Sequence, residues 1–193
     1  MAAEIADPLH SLLSRRSAPA LQLCEPGPSQ AQIGLAVDAA LSAPDHGALK
    51  PLRLIMIQGA ARTRLSELFV RRMQQRDAAI PPGKIDRARR MPLAAPLVIA
   101  VGARLVVPHK VPELEQLLAA GAGVMNLLNA FHAQGFGAIW LTGPNAYDPE
   151  IAQALGFAPD ERSLGFLYVG TAPTAELPAR RVDRTNVVRE WTG

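Results

Sequence analysis

The chain has 193 residues, of which 49% are hydrophobic and 19% are charged, and its formal net charge is +3. These values are ordinary for a soluble globular protein and predict one domain, 1–193, with a sizeable core. Because the charge excess is small and no basic run alternates with aromatic residues, nucleic-acid binding is not expected. The only cysteine, Cys24, excludes an internal disulfide, and the cytoplasm is the expected compartment. The longest apolar stretch, 93–103, is too short to span a bilayer, so a membrane protein is not expected.

Helix-start signals dominate the first 45 residues. Asp7 followed by Pro8 predicts an N-cap and a first helical position, with a helix that ends near Arg15. Ser29 and Gln32 have the spacing of a capping box, which predicts the start of a second helix.

Beyond residue 50 the apolar pattern predicts strands that are separated by helices. The strands are expected at 52–57, 97–101, 138–142 and 164–169, and the helices at 60–79, 84–90, 112–134 and between Asp148 and Gly156. The long helix 112–134 is apolar nearly all round, so it is predicted to be the central core helix. The charges of the helix 84–90 are expected to form a solvated face. This order favours a three-layer arrangement with a mixed central sheet.

Common catalytic motifs are missing from the sequence. No Gly-x-Gly-x-x-Gly follows a predicted strand, and there is no Walker loop and no Gly-x-Ser-x-Gly elbow. The four histidines do not have metal-ligand spacing, so no metal site is expected. With no evident nucleophile or other catalytic side chain, a borrowed cofactor is expected to supply the chemistry.

Two polar clusters are the candidate walls of a cofactor site. The segment 14–17, Ser-Arg-Arg-Ser, lies where the first helix ends, and the segment 42–46, Ser-Ala-Pro-Asp-His, follows the second. Paired guanidiniums suit a phosphate group, which they can bind through several donors. The residues alone leave two alternatives open. The arginines could be solvated charges that complement a helix dipole, and His46 could be a turn residue with no ligand.

Together with four further segments, these clusters resemble the nitroreductase family, and within it the small YdjA-like branch of NAD(P)H nitroreductases. The six segments occur in the family order and cover nearly the whole chain up to about residue 173. They are 14–17, 42–46, 95–99, 109–112, 133–140 and 165–170.

The resemblance implies an α+β, three-layer α-β-α fold with a mixed, largely antiparallel central sheet. It also implies a homodimer that binds FMN non-covalently at the subunit interface and passes a hydride from NADH or NADPH to an electron-poor acceptor, such as a nitroaromatic or a quinone. The C-terminal tail, 171–193, is expected to pack on the partner subunit. An FMN-binding protein of the same fold without nicotinamide-dependent turnover is the alternative.

The resemblance also implies which residues bind the cofactors. Those expected to bind FMN, with Ser42 and His46 coming from the partner chain, are Arg15, Arg16, Ser17, Ser42, His46, Trp140, Leu141 and Thr142. Those expected near the nicotinamide nucleotide are Ala130, Phe131, His132, Ala133, Gln134 and Gly135. Two alternatives stay open here, since Trp140 could be an ordinary core residue and 130–135 an ordinary helix end.

The sequence departs from the family pattern at three places. Lys50-Pro51-Leu52 stands where many members have Gln-Pro-Trp, and Leu141 stands where close relatives have an arginine. Pro19 occupies the place of a lysine that would favour negative charge on the reduced flavin, a role for which Arg16 or Lys50 could substitute.

Overall fold

One four-stranded sheet forms the middle of the structure, a computed structural model that describes residues 8–173, 185 and 187–193. The strand order is β1-β2-β4-β3, with β1 at Leu52–Gln58, β2 at Leu97–Arg104, β3 at Gly137–Leu141 and β4 at Glu161–Gly170. All three pairs of neighbouring strands are antiparallel, and a parallel bridge joins Ser17 to Ala138 at the edge of β3. The predicted sheet, mixed and largely antiparallel, is confirmed.

Helices cover both faces of this sheet. They are α1 (Pro8–Ser14), α2 (Gln30–Leu41), α3 (Ala60–Arg76), α4 (Pro82–Ala94), α5 (Glu113–Ala133) and α6 (Pro149–Leu155). Side chains alternate along β2, so Val98 and Ala100 join one core cluster with α3 and α6, while Leu97 and Ile99 join another with α2 and α5. The three-layer α-β-α prediction is therefore confirmed.

Local signals set the predicted helix starts. The Ser29 side chain accepts from the backbone N–H of Gln32, whose side chain in turn accepts from the backbone N–H of Ser29, so the capping box is confirmed. Asp148 caps α6, and Gly156 follows it in the left-handed conformation, as the sequence predicts. The predicted N-cap Asp7 lies outside the described residues.

Some boundaries differ from the predictions for reasons of packing. Helix α4 runs from Pro82 to Ala94 rather than from 84 to 90, and it includes the buried Pro92 in its last turn. Strand β2 continues to Arg104, because Gly102 leaves room for the ring of Phe157, whose Cε1 would lie 2.5 Å from an added Cβ. Helix α3 ends at Arg76, where a side-chain turn at Asp77 takes over.

Helix α5, predicted to be the central core helix, is buried on one face and exposed on the other within a single chain. Leu127 and Phe131 are completely buried under the sheet and α2, whereas Leu114, Leu118 and Met125 are 66%, 62% and 40% exposed. The sheet covers one side of a helix and no more, so the other side of α5 keeps an uncovered apolar stripe. We call Leu114, Leu118 and Met125 the outer α5 face. None of the helices in the described ranges has both the length and the apolar character needed to cross a membrane.

Candidate functional site

Arg15 and Arg16 follow the last turn of α1. Arg16 Nη1 donates to the carbonyl oxygens of Leu13 (2.7 Å) and Arg15 (2.9 Å), so its side chain folds back over the helix end. Its Nε is buried and has no hydrogen-bond partner, and neither arginine forms an ion pair with a carboxylate among the described residues. A buried donor on an uncompensated cation is the arrangement that an anion would satisfy.

The C-terminal end of α5 lies against this cluster. Ser14 Oγ and His132 Nε2 are 3.0 Å apart, and this contact joins α1 to α5. Ser17 pairs with Ala138 at the start of β3. The arginines are therefore positioned between the end of a long helix and the edge of the sheet.

His132 lies in the positive field of this cluster. Burial lowers the pKa of His132, and the charges of Arg15, Arg16 and His10 lower it further. Since the neutral imidazole is favoured in the folded state, His132 costs no stability above about pH 6.5, where it is neutral in both states. As the pH falls below that value, the unfolded chain takes up the proton first and the folded state loses stability.

We expect the pKa of His132 to rise when FMN is added, because a phosphate beside Arg15 and Arg16 offsets their charge. The pKa should also rise in the R15A/R16A variant. The measurement is an NMR titration of the imidazole Cε1 proton, assigned by comparison with His132→Gln, with His109 as an internal control. A pKa at or above the ordinary value in the flavin-free protein would contradict this electrostatic description.

The free edge of β3 continues from this cluster. Backbone groups of alternate residues in an antiparallel strand point to opposite edges. The carbonyl of Ala138 accepts from Ala18 N at the outer edge, so the backbone groups of Trp140, two residues further along β3, also point outward. The outer edge of β3 therefore presents unpaired backbone groups beside the cluster.

The side chains at this edge differ in exposure. Trp140 is 36% exposed and its indole N–H donates to the carbonyl of Leu164 at 3.0 Å, so it lies at the surface and not in the core. Leu141 packs against the α3-side core, while Thr142 is exposed. Gly165, at φ +121°, brings β4 so close that an added Cβ would lie 2.5 Å from the carbonyl oxygen of Leu141.

The second predicted cluster lies near the other end of α5. His46 Nδ1 is 2.6 Å from the carboxylate of Glu115, in the first turn of α5. Glu115 and His132 are 17 residues apart, which corresponds to about 25 Å along the helix axis. Ser42 is exposed, and its hydroxyl donates to the carbonyl of Ala39. It comes two residues after Ala40, whose backbone carbonyl lies against Gly123 of α5. Within one chain the structure therefore does not bring Ser42 and His46 to Arg15 and Arg16.

The segment 130–135 has mixed surroundings. Phe131 is fully buried in the core and Ala130 is half-buried. The side-chain amide nitrogen of Gln134, Nε2, donates to the carbonyls of Gln32 and Ala130. Gly135, at φ +86°, follows the end of the helix. Only His132, Ala133 and Gly135 of this segment offer either a polar ring or an exposed surface to a ligand.

An ionic network fixes the loop between β3 and α6. The carboxylate of Asp148, which is 4% exposed, accepts from Arg72 and Arg76 as well as from the backbone N–H groups of Glu150 and Ile151. Burial acts to raise the pKa of Asp148, but these hydrogen bonds outweigh it, and the pKa lies below its ordinary value. The network holds the loop that begins at Thr142 against α3.

Comparison with known proteins identifies this arrangement. A model of the nitroreductase family matches residues 13–171. The chain belongs to the nitroreductase family. It is 38% identical over 169 residues to YdjA of Escherichia coli (strain K12), whose name assigns YdjA to the NAD(P)H nitroreductases. The aligned region covers 86% of this chain and 88% of YdjA. A similarly named protein of Haemophilus influenzae is 30% identical over 94% of this chain and 98% of its own length.

Solved structures of the family share the fold. The nitroreductase-like family protein from Bacillus cereus superposes with a TM-score of 0.82 at 20% identity, covering all of both chains. A nitroreductase-type protein of Desulfovibrio desulfuricans, crystallised in complex with FMN, superposes with a TM-score of 0.73 at 21% identity over 98% of each chain. At these identities the likeness concerns the fold alone.

The structure also shows polar contacts that the sequence pattern does not predict. Asn129, one turn before His132, has a buried Oδ1 with no partner among the described residues. The sequence predicts Asp148 only as the start of a helix. Its N-cap position was visible in the sequence, but its two arginine partners lie more than 70 residues away and gave no local signal.

Proposed function

We propose that this nitroreductase-family chain is a homodimeric FMN-dependent oxidoreductase that passes electrons from NAD(P)H to an electron-poor acceptor, such as a nitroaromatic or a quinone. The observation that carries the proposal is the separation of the two polar clusters along α5. His46 lies near one end of this helix and Arg15, Arg16 and His132 lie near the other, about 25 Å away.

A two-fold axis removes this separation. If two copies pack α5 against α5 in antiparallel fashion, the first turn of one helix lies beside the last turn of the other. Ser42 and His46 of the partner subunit then approach the Arg15–Ser17 cluster of the first, as a self-complementary interface requires. Each dimer would hold two equivalent sites in the seam between the chains.

The outer α5 face supports such an interface. Leu114 and Leu118 are 66% and 62% exposed, and on the neighbouring α2 Leu35 and Leu41 are exposed to a similar degree. Clustered apolar side chains of this kind are typical of a contact surface with another protein. The small residues Gly121 and Ala122 between them would let two α5 helices approach closely.

In this proposal the residues of the chain bind and orient FMN. Arg15, Arg16 and Ser17 hold the phosphate end, with the buried Arg16 Nε among the available donors. The outward backbone groups of Trp140 would pair with the polar edge of the flavin ring, with Leu141 and the exposed Thr142 beside them. When bound, FMN supplies the two-electron redox chemistry that the side chains lack. The nicotinamide nucleotide would lie near His132, Ala133 and Gly135.

The test is direct. Protein reconstituted with FMN should be yellow, hold one FMN per chain, and oxidise NADH or NADPH in the presence of a nitroaromatic. Absence of flavin uptake refutes the proposal. Bound flavin that neither nicotinamide reduces would instead leave the alternative, an FMN-binding protein of the same fold without turnover.

Leu118→Arg is expected to make the protein monomeric and to weaken FMN binding at the same time, because it places a charge in the apolar seam that completes the site. Light scattering after gel filtration measures the mass, and a flavin titration measures the affinity. Leu93→Arg, at an exposed apolar position on α4, is the matched control and should stay dimeric. A monomeric L118R that binds FMN as tightly as the unchanged protein would contradict the shared site.

We further propose that the tail packs on the partner subunit. Residues 174–184 and 186 lie outside the described residues, but Val187, Val188 and Trp191 are described and are 80%, 70% and 90% exposed on the single chain. Large apolar side chains so exposed favour cover by a second copy. The cytoplasm, where NAD(P)H is available, is the compartment in which we place this activity.

A further inference from the structure

A cavity of about 590 Å³ opens between α3, α4 and the loop that follows β3. Its inner surface is mostly apolar and comes from three sides: Phe69 and Met73 on α3, Met91 on α4, and Phe166 on β4. This volume lies within the range of pockets for small organic ligands. An aromatic ring would find apolar and sulfur-containing contacts on each side.

Two cations on α4 line the same cavity. Lys84 and Arg87 are three residues apart and therefore share a helix face, together with Met91 one turn further on. The side chain of neither residue forms a hydrogen bond or an ion pair with another described residue. Arg76, which also lines the cavity, is by contrast bonded to Asp148 and Asn145. Lys84 and Arg87 are exposed, as the predicted solvated face requires, and they are the cations of this lining that are available to a ligand. The lining also contains one carboxylate, Asp77, which accepts from the backbone N–H of Ala79.

A third polar group, on Tyr168, also lines the cavity. Tyr168 on β4 is only 3% exposed, and its hydroxyl has no hydrogen-bond partner within the described part of the chain. Burial raises the pKa of Tyr168, so the phenol stays protonated and can donate a hydrogen bond at neutral pH. Since no described residue accepts from this hydroxyl, an oxygen of a ligand in the cavity would be its acceptor.

The cavity also reaches the end of β3, since Leu141 and Thr142 line it. These are the residues beside which the proposed function places the flavin, and the inference therefore rests on that function. We infer that this cavity binds the electron acceptor, and that the acceptor is a flat aromatic compound with a carboxylate, held by Lys84 and Arg87, with Tyr168 donating to a second polar substituent. Such an acceptor would lie next to the flavin and outside the phosphate cluster.

The experiment compares two acceptors that differ in charge. FMN-loaded protein is titrated by calorimetry at low salt with 4-nitrobenzoate and with the neutral 4-nitrobenzamide. We expect the anion to bind at least about tenfold more tightly, and this preference to shrink with added salt, because the cations are at the surface. The K84Q/R87Q variant should lose the preference, whereas R90Q, which removes an exposed charge from the same helix outside the cavity, should keep it.

Tyr168→Phe provides an independent readout. It should lower the affinity for both compounds by a similar factor and leave the preference for the anion in place. Equal affinities of the unchanged protein for the two compounds would overturn the inference. So would displacement of FMN by 4-nitrobenzoate, because the cavity would then belong to the flavin itself.

The same titrations separate this inference from the proposed function. If NAD(P)H oxidation proceeds but the two acceptors bind equally, the inference fails alone. If the anion is preferred but neither NADH nor NADPH reduces the bound flavin, the proposed function fails alone. Melting curves of each variant confirm that the changes on α4 leave the fold intact.

Discussion

Replacing Arg15 and Arg16 together with alanine is expected to weaken FMN binding at least about tenfold. Hydrogen bonds between charged groups contribute roughly 1.5–3 kcal/mol each, and about 1.4 kcal/mol corresponds to a factor of ten in affinity. The effect should be large because both guanidiniums lack a carboxylate partner among the described residues and the Nε of Arg16 is buried without an acceptor. Solvent screens the arginine charges at the open side of the site and so reduces the free energy that they contribute to binding. We therefore expect a change near the lower end of this range.

The matched control is Arg64→Ala with Arg71→Ala. These arginines are exposed on α3 and the double variant removes the same charge. Equal loss of affinity in both variants would mean that overall charge, and not the α1–α5 cluster, attracts the cofactor. The lysine pair R15K/R16K should give an intermediate affinity, because it keeps the charge but not the planar fork. Equilibrium dialysis with FMN measures all three, and unchanged affinity in a folded R15A/R16A protein would refute the assigned role.

Asp148→Ala is expected to lower the free energy of unfolding by about 3 kcal/mol, the lower end of the cost of breaking a buried ion pair. The substitution leaves Arg72 and Arg76 without their shared acceptor and removes the N-cap of α6. For a chain of this length the melting temperature should fall by roughly 6–12 °C. Thermal unfolding followed by circular dichroism measures it. Asp86→Ala, which breaks an exposed pair with Arg89, should change the melting temperature by little.

The pH dependence of D148A gives a second check. Because the folded state lowers the pKa of Asp148, its stabilisation is present above the ordinary aspartate value and is lost as the pH falls through the lower folded value. The difference in stability between the unchanged protein and D148A should therefore narrow in acid, below about pH 4. A difference that stays constant from pH 7 to pH 2 would show that the carboxylate charge does not hold the network together.

Helix and strand order could be predicted because each signal is short-range. Ser29 and Gln32 form a capping box by contacts across three residues, and Asp148 caps α6 in the same way. The position of the basic pair at residues 15 and 16 could also be predicted, because it depends only on where the first helix ends. These features depend on neighbours in the chain, whose geometry the backbone fixes regardless of the rest of the fold.

The sequence alone thus determined the elements, their order and the residue types able to bind a phosphate. Only the tertiary structure decided that α5 leaves one apolar side uncovered and that His46 and Arg15 lie near opposite ends of that helix. It also decided that Lys84, Arg87 and Tyr168 line one cavity. Each of these depends on distances between residues far apart in the chain, which are set when helices and strands pack and their side chains compete for the same limited space.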